Sequence, residues 1–521
     1  MKKQNFMRGA AVLAIAGAVS KTLGALYRIP LARMIGDQGM GLYQLAYPIY
    51  TTILSLATAG IPVAISVVIA RREAENCRGD IKRIFRISFV LLFLFGLFLS
   101  TLMIAGGHFI AEFFLHNEQA YWPIVAVAPA IFISSIMSVF RGYFQGQQMM
   151  TPTAVSQVIE QLFRVTSILA MAVCLLPYGL EYAAAGATGG AVVGTSIGLL
   201  VMIIYFLHYK KTQGKPVQPP AVSQLTNYEI GKELLKLAIP VSLGAIVLPL
   251  VQCLDAMIVP SRLTAIGYSL DRATGLYGQL SGMAAVLISL PSIFTIAIST
   301  SLVPAISEAF ANEKMHAVHE RLNYGLRAAM IISIPAAAGM FALAVPICDL
   351  LYGQPEAGLC LAPLAFSAMT LAAFQLSSTG LQGIGQPQIV MHHLIVIGIC
   401  KIILNYTLTS IPALNIQGAA IGTVCAFFIG AMLNLIALRR YTKVKFEIRR
   451  FFKICVIAAI MGISARMAYG FMVLENISSY LSTVGGILCG VLVYGILMIL
   501  FKELDREMVQ RILGKKREEN A

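Results

Sequence analysis

"ISFVLLFLFGLFLSTLMI", residues Ile87 to Ile104, runs for 18 positions without a charge. As an α-helix at 1.5 Å per residue it is about 27 Å long, close to the roughly 30 Å hydrocarbon thickness of a bilayer. Its apolar residues follow one another without the in–out alternation of a barrel strand. The stretch therefore predicts a membrane-crossing helix. Similar runs recur along all 521 residues, and the chain is 58% hydrophobic, 12% charged, with a mean hydropathy of +0.78. No soluble globular class has this composition. Backbone groups in lipid must bond internally, so with a barrel excluded the fold class is an all-α integral membrane protein.

Fourteen transmembrane helices are expected, starting near residues 9, 41, 84, 121, 153, 182, 233, 274, 328, 358, 389, 417, 453 and 480. Loops assigned alternately to two sides separate the charges. One side receives Lys2, Lys3 and Arg8, six cations from Arg71 to Arg86, five from Lys210 to Lys236, seven from Arg439 to Lys453, and the tail after Lys502. On the other side only Arg262 and Arg272 interrupt loops otherwise free of Lys and Arg. The positive-inside rule then places both termini in the cytoplasm and requires an even number of spans. The opening "MKKQNFMRGAAVLAIAGAVS" reads as the start of the first span, because its apolar character resumes through Ile35, where a cleaved signal would end.

The net charge of +15 invites a nucleic-acid partner, but the basic residues sit in short blocks beside apolar runs, without interleaved aromatics. They are topology signals, and no nucleic acid is expected. Nine cysteines are scattered singly with no CxxC pair, which assigns them to packing and leaves no metal site.

The chain also repeats itself. "GLY" occurs at Gly41 and Gly275, "IAEFFLH" from Ile110 matches "ICDLLYG" from Ile347, Gln145-Gly146 matches Gln382-Gly383, and Gly186 and Gly190 match Gly418 and Gly422. The offsets all lie between 232 and 237 residues. Four matches in order at one spacing indicate two parallel six-helix repeats plus two C-terminal helices. The expected segments are an N-terminal lobe, 1–209; a cytoplasmic linker, 210–232, containing "QGKPVQPPAVSQ"; a C-terminal lobe, 233–440; and an addition, 441–521, of two helices and a basic tail. Two copies of six spans enter the membrane with the same orientation, so an axis along the membrane normal relates them and a substrate site falls between them.

Charges inside the spans nominate that site. Lys21 lies about 18 Å along the first helix, at mid-membrane, where a cation costs about 2.5–3.5 kcal/mol on insertion scales. Arg28, seven residues on, projects within about 20° of it, while Arg33 lies near the outer end and anchors there. In the fifth span Gln157, Glu160, Gln161 and Arg164 follow i, i+3, i+4, i+7 and form a polar stripe. At an offset of 237 the equivalent of Arg164 is Lys401, with His393 two turns before it and Asn405 one turn after. The seventh span adds Gln252 and Asp255, with Arg262 at its outer end. Structural ion pairs, Glu160 with Arg164 or Asp255 with Arg262, are the competing reading. That reading explains Lys21 and Arg28 poorly, because the first helix has no acid before Asp37. The cations point to a wet cavity for an anion at mid-membrane. Intramembrane prolines such as Pro240, Pro249 and Pro335, with 44 glycines, fit bent helices that rock.

With these features in place, the sequence resembles the multidrug/oligosaccharidyl-lipid/polysaccharide (MOP) exporter superfamily over nearly its whole length. Within it the likeness is to the stage V sporulation protein B group of polysaccharide flippases, related to the lipid II flippase MurJ. The residues that carry it are "SKTLGALYRIPLARMIGDQGMGLYQLAYP" from Ser20, "LATAGIPVAIS" from Leu56, "RGYFQGQQMMTPTAVSQVIEQLFRV" from Arg141 and "LDAMIVPSRL" from Leu254. The resemblance implies V-shaped lobes in alternating access and a lipid-linked oligosaccharide as cargo, exported outward for cell-wall, peptidoglycan or sporulation-related synthesis. Spans thirteen and fourteen resemble the pair that helps form a lipid-tail groove in MurJ. Lys21 stands where MurJ has an arginine, and Arg28 falls one position beyond the arginine that MurJ uses in its cavity.

The expected function is thus a flippase, most simply for lipid II, with another envelope glycan or a multidrug/cation antiporter as alternatives. Lys21, Arg28, Arg164, Arg262 and Lys401 are the expected substrate ligands. Gln157, Glu160, Gln161, Asp255 and Asn405 line the cavity or couple transport to the membrane potential, a proton or sodium. No cofactor is expected, and no nucleophile–base pair or phosphate loop supports an enzyme. Membrane lipids and cell-wall synthesis enzymes are the expected partners, with the monomer as the functional unit.

Overall fold

The computed structural model describes residues 6–75, 77–212, 226–444, 447–501 and 503. Lys2 and Lys3, the centre of the expected linker and nearly all of the basic tail lie outside them. Every regular element among the described residues is helical. Among the described residues, twelve helical runs are long and apolar enough to cross a membrane, or thirteen when the bent pair Ala357–Leu364 and Ser367–Gly383 counts as one span. The first run, Val12–Ala74, covers 63 residues and takes in the first two expected spans.

Breaks inside that run follow from local chemistry. The Phe6–Leu26 and Arg28–Thr58 helices join at Tyr27, whose φ of −64° and ψ of −22° stay helical, so Lys21 and Arg28 keep a common face. At Gly36 the backbone turns to φ +68°, a left-handed conformation that suits glycine, and the chain changes direction. The next helix, Ile61–Ala74, begins after Gly60 with Pro62 in its first turn, where the missing N–H has no intrahelical partner to lose. Asn227–Ala265 opens on a capping box, Thr226 accepting from the Glu229 N–H while the Glu229 carboxylate accepts from the Thr226 N–H.

The fold comprises two compact units, Met1–Val286 with Leu394–Gly422, and Leu287–His393 with Thr423–Ala521. In the first, a core of Ile65, Ile69, Ile84, Phe144 and Ile230 ties the Ile61–Ala74, Arg78–Ala105 and Pro129–Gly146 helices to the start of Asn227–Ala265. In the second, Leu302, Ile306, Leu322, Leu376 and Leu438 form one cluster and Met330, Ile334, Ile454 and Ala458 another. All ten nominated site residues belong to the first unit.

Candidate anion and ion-pair site

The Thr151–Leu175 helix carries the polar stripe, and the structure divides it between two neighbours. Gln157 and Gln161 face the Phe6–Leu26 helix, which presents small residues at i, i+3 and i+7. A Cβ on Gly17 or Gly24 would lie 3.9 or 3.3 Å from their amide nitrogens, and the Ser20 hydroxyl donates to the Gln157 carbonyl at 3.4 Å. Glu160 and Arg164 turn toward Leu180–Thr212, where a Cβ on Gly194 would lie 2.6 Å from the Arg164 Cβ and 2.8 Å from the Glu160 carbonyl.

Glu160, only 8% exposed, accepts from two arginines: Arg164 at 2.6 Å on its own helix and Arg141 at 2.7 Å from Pro129–Gly146. Two cations around one carboxylate leave this cluster with a net charge of +1. Sequence reading missed Arg141, whose partner lies 19 residues away across a turn. On the first helix pair, the Arg28 guanidinium stands 5.5 Å from the Tyr47 ring centre, a cation–π arrangement. Arg164 also lies within electrostatic reach of Tyr47. Tyr27 and Tyr43 share a hydroxyl hydrogen bond of 2.8 Å beside them. Lys21 is exposed on the surface of its helix.

A second centre joins Asn227–Ala265 to Pro387–Thr409. Asp255, also 8% exposed, pairs with the Lys401 ammonium and accepts from the Asn405 amide at 2.7 Å. The Asn405 Oδ1, buried and without a donor, faces Gly422, where a Cβ would approach it to 2.4 Å. Of the two ion pairs in the competing reading, Glu160–Arg164 forms and Asp255–Arg262 does not. Arg262 lies two turns along the same helix, about 10 Å away, and stacks over Tyr406 at 4.2 Å instead. Among the described residues Lys21, Arg28 and Arg262 have no carboxylate within ion-pair distance. Gln252 is exposed.

The internal repeat contained a signal for this arrangement. The offset of 234 residues between Gly41 and Gly275 carries Lys21 onto Asp255 and Arg28 onto Arg262, just as 237 carries Arg164 onto Lys401. One copy therefore places cations on both helices where the other places a carboxylate opposite a lysine. The Asp255–Lys401 pair is self-neutralised and, among the described residues, leaves Arg262 as the second centre's one excess cation, whereas in the first centre Lys21, Arg28, Arg141 and Arg164 stand against Glu160 alone.

Long apolar helices with charged groups held between them define a multi-pass membrane transporter. A family model described as "Polysaccharide biosynthesis protein" matches residues 6–310, and the MatE model matches 279–407. The chain belongs to the polysaccharide biosynthesis protein family, within the MOP superfamily. It is 29% identical to Stage V sporulation protein B of Bacillus subtilis, over 98% of each chain. It is 26% identical to the lipid II flippase MurJ of the same organism, over 88% of each. A solved structure of lipid II flippase MurJ in an inward closed conformation shares the fold, with a TM-score of 0.71 at 17% identity over 95% of this chain and 99% of that one.

Proposed function

We propose that this chain is a flippase that moves an undecaprenyl-pyrophosphate-linked saccharide, most simply lipid II, outward across the bacterial cytoplasmic membrane by alternating access. One observation carries the reading: the first centre holds cations in excess of its acids, half-buried at Arg28, Arg141 and Arg164 and exposed at Lys21. Lys21 and Arg28 have no carboxylate partner among the described residues, and Arg141 and Arg164 share a single one. A pyrophosphate and a polar head cannot cross hydrocarbon with their charge and hydrogen bonds unmet. Cations fixed in a low-dielectric setting supply that charge, while the prenyl tail stays in lipid.

Lys21, Arg28 and Arg164 are the proposed pyrophosphate ligands, with Arg262 as an outer contact. Lys401 is committed to Asp255, and we assign this pair with Asn405 to ion coupling, where loss or gain of a proton or sodium ion would open or close the clasp. Gln157 and Gln161 hold the first helix in place. With both termini in the cytoplasm, an inside-negative potential assists export by about 2.3 kcal/mol per uncompensated charge per 100 mV. One relative's name supports the lipid-linked cargo: MurJ is a lipid II flippase. A cation antiporter fits less well, because Glu160 and Asp255 are both already occupied by cations.

The test is reconstitution into liposomes with defined lipid-linked precursors, scoring outer-leaflet exposure. Lys21→Ala combined with Arg28→Ala should abolish movement at normal membrane expression, and collapsing an imposed potential should slow the wild type. Unchanged transport by the double variant removes these residues from the site, and movement of cationic drugs without lipid II transfers the protein to the antiporter class.

A further inference from the structure

The second unit contains two cavities that share a rim. One, of about 460 Å³, lies among Met315–Ala342, Ser367–Gly383, Asn415–Thr442 and Ile448–Leu474, and its walls are apolar, with Leu326, Met330, Met369, Phe428 and Leu435 among them. The other, of about 490 Å³, is polar and includes His316, His319, Glu320, Tyr324 and Lys443. Asn323, Arg327, Glu447 and Arg450 line both. The combined space is amphipathic along its length, apolar at one end and charged at the other.

The charges at the junction are unequal. Arg327 and Arg450 at the shared rim, Arg439 in the apolar cavity and Lys443 in the polar one stand against Glu320, Glu447 and the Glu503 that pairs with Arg327. Arg450 is bound to Glu447 at 2.9 Å, and Arg327 bonds to Glu503. Arg439 and Lys443 have no carboxylate partner among the described residues. An apolar chamber does not hold water, and in a bilayer the available filler is a hydrocarbon chain.

The geometry points to a seat for one anionic phospholipid of the surrounding bilayer, with an acyl chain in the apolar chamber and its headgroup phosphate on Arg439 and Lys443. A free phosphate would leave the apolar chamber empty, and a zwitterionic headgroup would bring its own cation to a basic rim. The chamber volume of about 460 Å³ is that of a small-ligand pocket, too small to enclose a long prenyl chain. Basic pockets between helices at a membrane surface bind acidic headgroups in this manner. A seated lipid would brace Met315–Ala342 and Ile448–Leu474, which meet at Met330, Ile334, Ile454 and Ala458, and Ser367–Gly383, whose Met369 and Ala373 pack against them.

The proposal is tested on purified, delipidated full-length protein by native mass spectrometry with added phosphatidylglycerol, phosphatidylcholine or a prenyl phosphate. No transport step is involved, so the result is independent of the flippase reading. Phosphatidylglycerol should bind in preference to phosphatidylcholine. Arg439→Gln with Lys443→Gln should weaken it about 30-fold, or about 2 kcal/mol, the contribution of two cations near a lipid surface. Ala373→Phe, which fills the apolar chamber and keeps every cation, should also lower retention; if it does not fold, the charge variant decides alone. Equal retention of both phospholipids, or undiminished phosphatidylglycerol in the charge variant, overturns the assignment. So does displacement by an equal concentration of prenyl phosphate, which would make the chamber part of the cargo route.

Discussion

Asp255 shows what a buried charge demands of its neighbours. Its carboxylate sits between the Lys401 ammonium and the Asn405 amide, two residues one turn apart on another helix. Asp255→Asn leaves the ammonium uncompensated among apolar helices, and breaking such a pair costs about 3–5 kcal/mol. Asp255→Leu with Lys401→Met removes both charges and should fall within about 1 kcal/mol of the wild type. Thermal unfolding followed with a thiol-reactive dye measures this, since Cys253 and Cys400 flank the pair as free thiols. If the single variant melts with the wild type, Lys401 has another partner or is neutral. Glu160–Arg164 was legible because i, i+4 on a helix is a contact by construction. Arg141 and the Asp255–Lys401 match were not, because partners on separate helices are chosen by tertiary packing.

Glycine ridges set how closely those helices approach. On Leu180–Thr212, Gly186, Gly190, Gly194 and Gly198 follow at four-residue steps, and a Cβ on each of the first three would come within 2.6–2.8 Å of an atom on Thr151–Leu175. Such small-residue stripes let membrane helices approach at backbone distance. Gly194→Leu should therefore push the Arg164 helix outward and reduce transport about tenfold or more, as about 1 Å of displacement in a binding site can cost a hundredfold. Gly244→Leu is the control, because no atom lies within 4 Å of a Cβ there. Equal effects from both substitutions would remove the ridge from the argument. At this scale apolar runs made the helices legible, and the repeat marked Gly186 and Gly190. The bend at Gly36 was not readable, because a glycine inside an apolar pattern fits a helix, a kink or a close contact equally well.

Two segments that the sequence reads as counterparts in a repeat, around Gly41 and Gly275, meet within the first unit. Arg28–Thr58 crosses the segment 270–284 so closely that a Cβ on Gly41 would lie 2.1 Å from the Thr274 carbonyl, and one on Gly278 2.1 Å from that of Asp37. Around this crossing Gln279 donates to Asp37 at 2.8 Å, Gln44 to the Ser281 carbonyl at 2.6 Å, and Asn117 to Thr274 at 3.0 Å. A second crossing places Gly60 against Ala238, near the Arg71 and Arg72 pairs with Glu233 at 2.6 and 2.9 Å. The first lies on the cation-poor side of the chain and the second on the cation-rich side. The alternating access proposed above would require each to part while the other holds, and hydrogen bonds between small-residue surfaces part at lower cost than a large apolar interface. Gly41→Val cannot close the first crossing without moving the Thr274 backbone, so it should shift the population toward states open on that side. A cysteine replacing Asp37, in a background without the native thiols, reads this as faster labelling by a membrane-impermeant maleimide. Glu233→Ala, which loosens the opposite crossing, should leave that rate unchanged or lower it. Identical labelling in the Gly41→Val protein and its parent would mean that this crossing is a fixed joint, and that the movement exposing the cargo site occurs elsewhere.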